Sequence, residues 1–154
     1  MACQDNIESD IAFALNEHEK FVISATPKNT LIMAIVDLVN LVEQRMEDIR
    51  EQNPILIASE FYFSGETGLW SLITIQGREG NVIQYEFIES ETSWKRAEAL
   101  LEYNQASLEL VKVVVIVPDS VVTDVLSLVR YFDGQGVLIS DYSAAGLIPR
   151  PLAY

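Results

Sequence analysis

The chain has 154 residues, of which 49% are apolar, and a formal net charge of −13. This length fits one domain, and an apolar content at this level is typical of a globular protein that needs neither a disulfide nor a structural metal. Phosphate binding requires a basic face, so the acidic balance argues against nucleic acid as a partner. No apolar run approaches the roughly 18 residues of a membrane span, and the N-terminus lacks a signal-peptide pattern, so we expect a cytoplasmic protein without a membrane partner.

Catalysis through cysteine or histidine has few residues available. Cys3 is the single cysteine of the sequence and His18 is its single histidine. These counts exclude an intrachain disulfide, a cysteine-based zinc site and a histidine metal cluster. His18 lies in the charged, helix-like stretch LNEHEK, so we interpret it as a surface residue.

The N-terminal third of the sequence predicts two helices. Gln4–Lys20 has apolar residues at helical spacing, and the stretch FVISATP follows it as a short strand or an extended connection. Thr26 is a candidate cap and Pro27 suits the first position of a long helix that ends near Gln52. Its broad apolar stripe indicates packing on two sides, and we expect its charged last turns, including Arg45, to be solvated.

Three alternating runs then predict an antiparallel meander. They are Ile55–Phe63, Leu69–Gln76 and Val82–Glu89, and the turn sequences SGETG and GREGN connect them. In the second run, alternation places Leu69, Ser71, Ile73 and Ile75 on one face and Trp70, Leu72 and Thr74 on the other.

The period changes to 3.6 in TSWKRAEALLEYNQASLEL, which predicts a helix with Thr92 or Ser93 as its cap. Val111–Asp119 is β-branched and predicts a central strand that is covered on both faces. A helix over Val121–Phe132 and a short strand VLISDY follow, the strand being parallel to its predecessor by the crossover rule.

The predicted fold class is therefore α/β, with a mixed sheet flanked by helices on both faces. The sheet combines an antiparallel meander with a parallel β-α-β part. We predict a single domain over residues 1–154. It divides into an N-terminal extension (1–25), a core (26–142) and an irregular tail (143–154) that is loose or bound to a partner.

This element order resembles the restriction-endonuclease-like, or PD-(D/E)XK, nuclease superfamily. The segment KVVVIVPDSVVTDVLSLVRYFDGQGVLISDY is similar to the part that follows the catalytic strands in Holliday-junction resolvases, and the resemblance covers roughly Thr26–Tyr142. It implies a restriction-endonuclease-like fold. In that family an acid on the second meander strand and an acid-x-Lys on the third hold a magnesium or manganese ion against the scissile phosphate.

The resemblance also implies a degenerate active site in this chain. Glu86 matches the third-strand acid, but Ile88 stands at the lysine position and Ser71 stands nearest the second-strand acid. A lone carboxylate binds magnesium poorly because the ion keeps its water shell. We therefore expect no cofactor, and the leading hypothesis is a non-catalytic interaction or regulatory module with a protein partner or as a homodimer.

An active but rearranged nuclease is the first alternative. Glu86 would then be the catalytic carboxylate and the metal ligand for Mg or Mn, and Lys95 or Arg96 on the following helix would replace the missing lysine. Glu60 or Glu66 would replace the missing acid.

A small-molecule-binding α/β module is the second alternative. Its site would lie at the carboxyl ends of the parallel strands, near Pro118 and Asp141.

The acidic residues around the third strand also have purely structural interpretations. Glu86 fits a sheet edge or an ion pair with Lys95 or Arg96. Glu89 and Glu91 fit a solvated connection between strand and helix.

Overall fold

The computed structural model describes residues 28–130 and 136–149. Its helices and strands, in chain order, are α1 (Lys28–Gln52), β1 (Ile57–Gly65), β2 (Gly68–Gln76), β3 (Val82–Glu89), α2 (Ala99–Ser107), β4 (Lys112–Val117), α3 (Val122–Arg130) and β5 (Val137–Asp141). Two short 3-10 helices, Ser93–Lys95 and Asp119–Val121, precede α2 and α3. The predicted helix over Gln4–Lys20, the Thr26-Pro27 start of α1, and the residues Cys3 and His18 lie outside the described residues.

The five strands form one sheet in the order β1-β2-β3-β4-β5. The first three pair antiparallel, and β3, β4 and β5 pair parallel. Helix α1 covers one face, while α2 and α3 cover the other. The predicted α/β fold with a mixed, helix-flanked sheet is confirmed, and its assignment to the restriction-endonuclease-like type stays a prediction.

Each face of the sheet has its own apolar core. The core under α1 includes Leu41, Val42, Ile73, Ile88 and Tyr142. The core under α2 and α3 includes Phe63, Phe87, Tyr103, Val115 and Val125. Burying one large apolar side chain contributes about 1.5–3 kcal/mol, so these two layers supply most of the drive to fold. The alternation predicted for β2 is confirmed, since its odd-numbered residues face α1 and Trp70 and Leu72 face α2.

Helix α1 is buried along one stripe over its C-terminal two thirds, where Leu38, Val42, Met46 and Ile49 contact the sheet. Near its N-terminal end, Ile32 is exposed within the described part of the chain. Over residues 28–130 and 136–149, no helix combines the length and the apolar character that crossing a membrane requires.

The segment predicted as one helix after β3 is interrupted. A 3-10 turn over Ser93–Lys95 ends at Arg96, whose backbone is extended at φ −59° and ψ 144°, and α2 begins only at Ala99. Thr92 forms no side-chain cap, and its hydroxyl donates to the carbonyl of Thr67 instead. The interruption lets the Arg96 side chain turn back toward the sheet.

Residues 143–149 are irregular, as predicted, but they are held against α1. The side-chain amide of Gln44 donates to the Ile148 carbonyl at 2.9 Å and accepts from the Ile148 N–H at 2.8 Å. Leu147 is buried in the core under α1. The tail was predicted to be loose or bound to a partner; residues 143–149 are not loose, because one amide satisfies both backbone groups of Ile148, and binding to a partner stays a prediction. Residues 150–154 lie outside the described residues.

Leu110 offers a test of backbone strain. It has φ 61° and is 97% exposed, so it occupies the left-handed region without burying its side chain. A side chain in this region costs about 1–2 kcal/mol, and glycine avoids that cost. We expect Leu110→Gly to raise the free energy of unfolding by about 1 kcal/mol in urea titrations.

Leu108 provides the matched control, since it is also exposed but has φ −69°. Leu108→Gly relieves no strain and is expected to lower stability by about 0.5–1 kcal/mol. Equal effects of the two substitutions would contradict the strain at Leu110.

Candidate functional site

Glu86 on β3 is the residue that the nuclease resemblance makes central, and it is 0% exposed. Its carboxylate faces α1, where Arg45 Nε lies 2.6 Å from Oε1 and Arg45 Nη2 lies 2.9 Å from Oε2. The side-chain amide of Gln84 donates to Oε2 at 2.5 Å. The hydrogen bond to Glu86 raises the pKa of the Arg45 guanidinium. Both oxygens therefore have protein donors, and the expected solvation of Arg45 and the expected pairing of Glu86 with Lys95 or Arg96 are wrong.

The other two positions of the nuclease pattern lie beside Glu86 on the same face. Ser71 is directly opposite Ile88 across the β2–β3 pair, and Ile73 is opposite Glu86. Ile88 and Ser71 are fully buried, and the Ser71 hydroxyl donates to the carbonyl of Phe61 at 2.8 Å. The structure brings the three positions together, but two of them carry neither an acid nor a lysine.

Lys95, the candidate displaced lysine, is not brought to Glu86. Its side chain is exposed, and its ammonium lies 5.5 Å from the centroid of the Trp94 ring. Trp94 belongs to the core under α2, on the opposite side of the sheet from the Glu86 carboxylate. The catalytic role of Glu86 and Lys95 stays a prediction, and no contact between them supports it within the described part of the chain.

The two candidate replacement acids are also separated from Glu86. Glu60 is opposite Ile73, two strands away from Glu86, which corresponds to roughly 10 Å at the usual strand spacing. Glu66 lies in the turn between β1 and β2, and it is exposed. Within residues 28–130 and 136–149, no group of three or more Asp, Glu, His or Cys side chains is placed to hold a metal ion.

A second buried carboxylate, Glu89, lies at the end of β3 and is 0% exposed. Arg96 Nη1 lies 2.5 Å from its Oε1, and Arg96 Nη2 lies 3.1 Å from its Oε2. The hydroxyls of Ser93 and Tyr103 each donate to the carboxylate at 2.8 Å. The expectation that Glu89 lies in a solvated connection is therefore wrong, because this carboxylate is enclosed by four donor groups.

The Arg96 guanidinium completes this ionic cluster. Its Nε donates to Glu102 at 2.8 Å, and its Nη1 also donates to the carbonyl of Ser93 at 2.8 Å. Its Cζ lies 3.9 Å from the centroid of the Trp70 ring. Burial lowers the pKa of Arg96, but the charges of Glu89 and Glu102 outweigh burial and raise the pKa overall. This bonding explains why the chain leaves helical geometry at Arg96.

A cleft of about 980 Å³ opens at the carboxyl edge of the sheet. Its lining includes Ser90 directly after β3, Pro118 directly after β4 and Tyr142 directly after β5, and α1 closes it with Leu38 and Leu41. This is where the small-molecule alternative places a site, next to Pro118.

The other residue named for that site, Asp141, does not line the cleft, and its carboxylate accepts the Ala144 N–H at 2.7 Å. Glu86 does not line the cleft either.

The acidic residues of this cleft were not all recognised from the sequence. Its lining includes Asp37, Glu66, Glu91 and Asp119. Three of these acids come within two residues of the carboxyl end of β1, β3 or β4. That repeated placement of an acid just beyond a strand is the sequence signal that identifies the cleft.

The chain matches no protein-family model, no curated protein and no solved structure.

The Arg45–Glu86 pair predicts strong energetic coupling between α1 and β3. Arg45→Met leaves a buried carboxylate without its cation, which we expect to cost about 3–5 kcal/mol of stability. The double variant Arg45→Met/Glu86→Leu removes both charges. We expect its loss of unfolding free energy to be smaller than the sum of the losses in the two single variants by more than about 1 kcal/mol. Urea unfolding of the four proteins measures this coupling.

The exposed pair Glu47 and Arg50 on the same helix is the control. The corresponding cycle with Glu47→Leu and Arg50→Met is expected to be additive within about 0.5 kcal/mol. Additivity of the Arg45–Glu86 cycle would contradict a structural ion pair.

The tyrosines that bond to Glu89 predict a loss of stability in alkaline solution. Burial raises the pKa of Tyr103 well above its ordinary value of 10, with a further contribution from the charge of Glu89. Burial raises the pKa of Tyr142 as well. The unfolded chain releases these protons near pH 10 and the folded chain does not, so stability is complete below pH 10 and falls as the pH rises above it.

Urea titrations at pH 8 and at about pH 10.5 test this expectation. We expect the free energy of unfolding of Tyr103→Phe to differ less between the two pH values than that of the unsubstituted protein. The variant has no tyrosine proton to lose at that position. An unchanged difference, or absorbance at 295 nm showing that every tyrosine of the folded protein ionises near pH 10, would contradict it.

Proposed function

We propose that this chain is a non-catalytic interaction or regulatory module built on a nuclease-like fold. The observation that carries the proposal is the state of Glu86, whose two carboxylate oxygens are both bonded by Arg45 inside the core. A metal ion at this carboxylate would have to displace the guanidinium and enter a closed, apolar layer. The cost of leaving Arg45 unpaired opposes that exchange.

The neighbouring positions support the same conclusion. Catalysis of the nuclease type needs a second carboxylate and a cation beside Glu86, and the positions nearest to it hold Ser71 and Ile88. The net charge of −13 also opposes approach of a phosphodiester backbone. The predicted element order, with a meander followed by parallel strands, agrees with the resemblance on which the nuclease-like part of the proposal rests.

A small-molecule-binding module is the second candidate function, and the cleft at the carboxyl edge favours it. Open α/β sheets bind ligands at this edge, and the volume of about 980 Å³ falls within the usual range for ligand pockets. The cleft also gives an interaction module a concave surface that can receive a partner.

Nuclease assays with magnesium and with manganese test the leading proposal. We expect no metal-dependent cleavage of plasmid DNA, four-way DNA junctions or single-stranded RNA by the purified protein. Isothermal calorimetry with manganese is expected to show no binding that depends on Glu86, because that carboxylate is already bonded to Arg45.

Glu86→Gln is paired with the control Glu79→Gln, which removes one carboxylate at an exposed position in the turn between β2 and β3 and has no role in the rearranged nuclease. Cleavage that Glu86→Gln abolishes and Glu79→Gln retains would overturn the proposal in favour of the rearranged nuclease. Cleavage that both variants retain would identify a contaminating enzyme.

A further inference from the structure

The cleft at the carboxyl edge of the sheet has a uniformly acidic rim. Asp37 on α1, Glu66 in the β1–β2 turn, Glu91 after β3 and Asp119 after β4 all line it, and all four are exposed. No residue that lines the cleft in the described part of the chain is Lys, Arg or His. The cleft therefore presents negative charge without an internal counter-charge.

The negative charges of the rim act on Tyr142, which lines the cleft. Burial is the largest cause of its raised pKa, and the charges of Glu89, Glu91, Asp119 and Asp37 raise the pKa further. Three of those four charges belong to the rim. Because several carboxylates lie close together at the rim, the cleft favours a positively charged ligand.

The floor of the cleft is aliphatic. Leu38, Leu41 and Leu147 are buried there, and Leu69 is half-buried beside them. Apolar surface in a concave site favours a ligand that brings apolar groups of its own. A ligand that has only charged groups would make no apolar contact with these leucine side chains.

Ser64 supplies an independent sign that the cleft accepts a ligand. Ser64 is one of the residues that line the cleft and is 5% exposed, and its hydroxyl has no hydrogen-bond partner among the described residues. A buried hydroxyl without a partner costs about 1–3 kcal/mol, and such groups call for an explanation. The oxygen is closed to solvent in this conformation, so an occupant would bond to it by shifting the side chains that cover it, and that bond would remove this cost.

The spacing of the rim acids distinguishes an extended occupant from a compact one. Glu66 follows β1 and Asp119 follows β4, and three strand spacings of about 4.8 Å separate these strands, or roughly 14 Å. A single ammonium group forms ion pairs only within about 4 Å. The rim is therefore matched by several cations distributed along one chain.

We infer that the cleft is a docking site for a basic segment of a partner protein, with Lys or Arg side chains at the rim acids and aliphatic side chains on the leucine floor. The inference rests on the proposed function as an interaction module and names its partner class. A second copy of this chain does not fit this description, since its net charge is −13.

Panning a random dodecapeptide phage library against the full-length protein tests the inference. We expect the enriched peptides to combine two or more Lys or Arg residues with aliphatic residues. Their affinity, measured by fluorescence anisotropy of the labelled synthetic peptides, is expected to fall as salt is raised, because screening weakens exposed ion pairs. Enrichment of acidic or uncharged peptides, or no enrichment, would overturn the inference.

Charge-matched variants locate the binding surface. Glu66→Gln/Glu91→Gln removes two rim charges, and we expect about tenfold weaker binding of the enriched peptides. Glu79→Gln/Glu98→Gln changes the net charge equally at exposed positions outside the cleft and is expected to leave affinity within about twofold. Equal losses in both variants would overturn the cleft as the docking site while leaving the proposed function standing.

Ser64→Ala separates binding from folding. Removal of an unpartnered hydroxyl is expected to leave the urea midpoint unchanged or higher, while peptide affinity falls several-fold. Unchanged affinity would contradict a contact between the peptide and Ser64 and would overturn the inferred docking site.

Sedimentation velocity tests whether a second copy of this chain occupies the cleft. A dimer that Glu66→Gln/Glu91→Gln dissociates would make the cleft a self-interface and overturn the inference. Metal-dependent cleavage, measured separately, would overturn the proposed function itself.

Discussion

The burial of two carboxylates on one central strand is the constraint on which the rest of this structure depends. Glu86 and Glu89 are three residues apart on β3, so their side chains point to opposite faces of the sheet. A buried charge without a partner costs several kcal/mol, so each carboxylate needs a cationic side chain on its own face of the sheet. Arg45 on α1 meets this requirement on one face, and Arg96 meets it on the other. The two ion pairs thereby fix both helical layers against the same strand.

This constraint also changes the meaning of the nuclease resemblance. In a metal-dependent nuclease the third-strand carboxylate is useful because its oxygens are available to an ion. At the position that the resemblance aligns with it, Glu86 already has its cation, and the buried side chains of Ile88 and Ser71 lie beside it. In this chain Glu86 thus contributes to the stability of the core through its ion pair with Arg45.

Much of the fold was predictable from the sequence because the relevant signals are local. The alternation in Val82–Glu89 gave β3 its observed limits, and the β-branched run before Pro118 predicted a buried central strand that was found as β4. Ion pairs follow no such period. Arg45 and Glu86 are 41 residues apart, and the polar last turns of α1 gave no indication that one arginine points inward.

The interruption at Arg96 was missed for the same reason, since helical spacing in the surrounding residues is intact and only the distant Glu89 explains the break. The docked segment 143–149 was also missed, because a single amide 104 residues away holds Ile148 in place. The cleft was predicted at Pro118 from a rule about sheet edges, but its acidic rim is collected from segments that sequence distance separates.

The cleft is assembled from residues between Ala34 and Pro149, which come from α1, the ends of several strands and the docked segment after β5. It exists only when all of these parts have reached their final positions, so no unfolded or half-folded chain can offer it. By mass action, any ligand present at a concentration of about a hundred times its dissociation constant raises the free energy of unfolding by about 2.7 kcal/mol. The abundance of the folded protein in a cell would then follow the supply of whatever fills this edge.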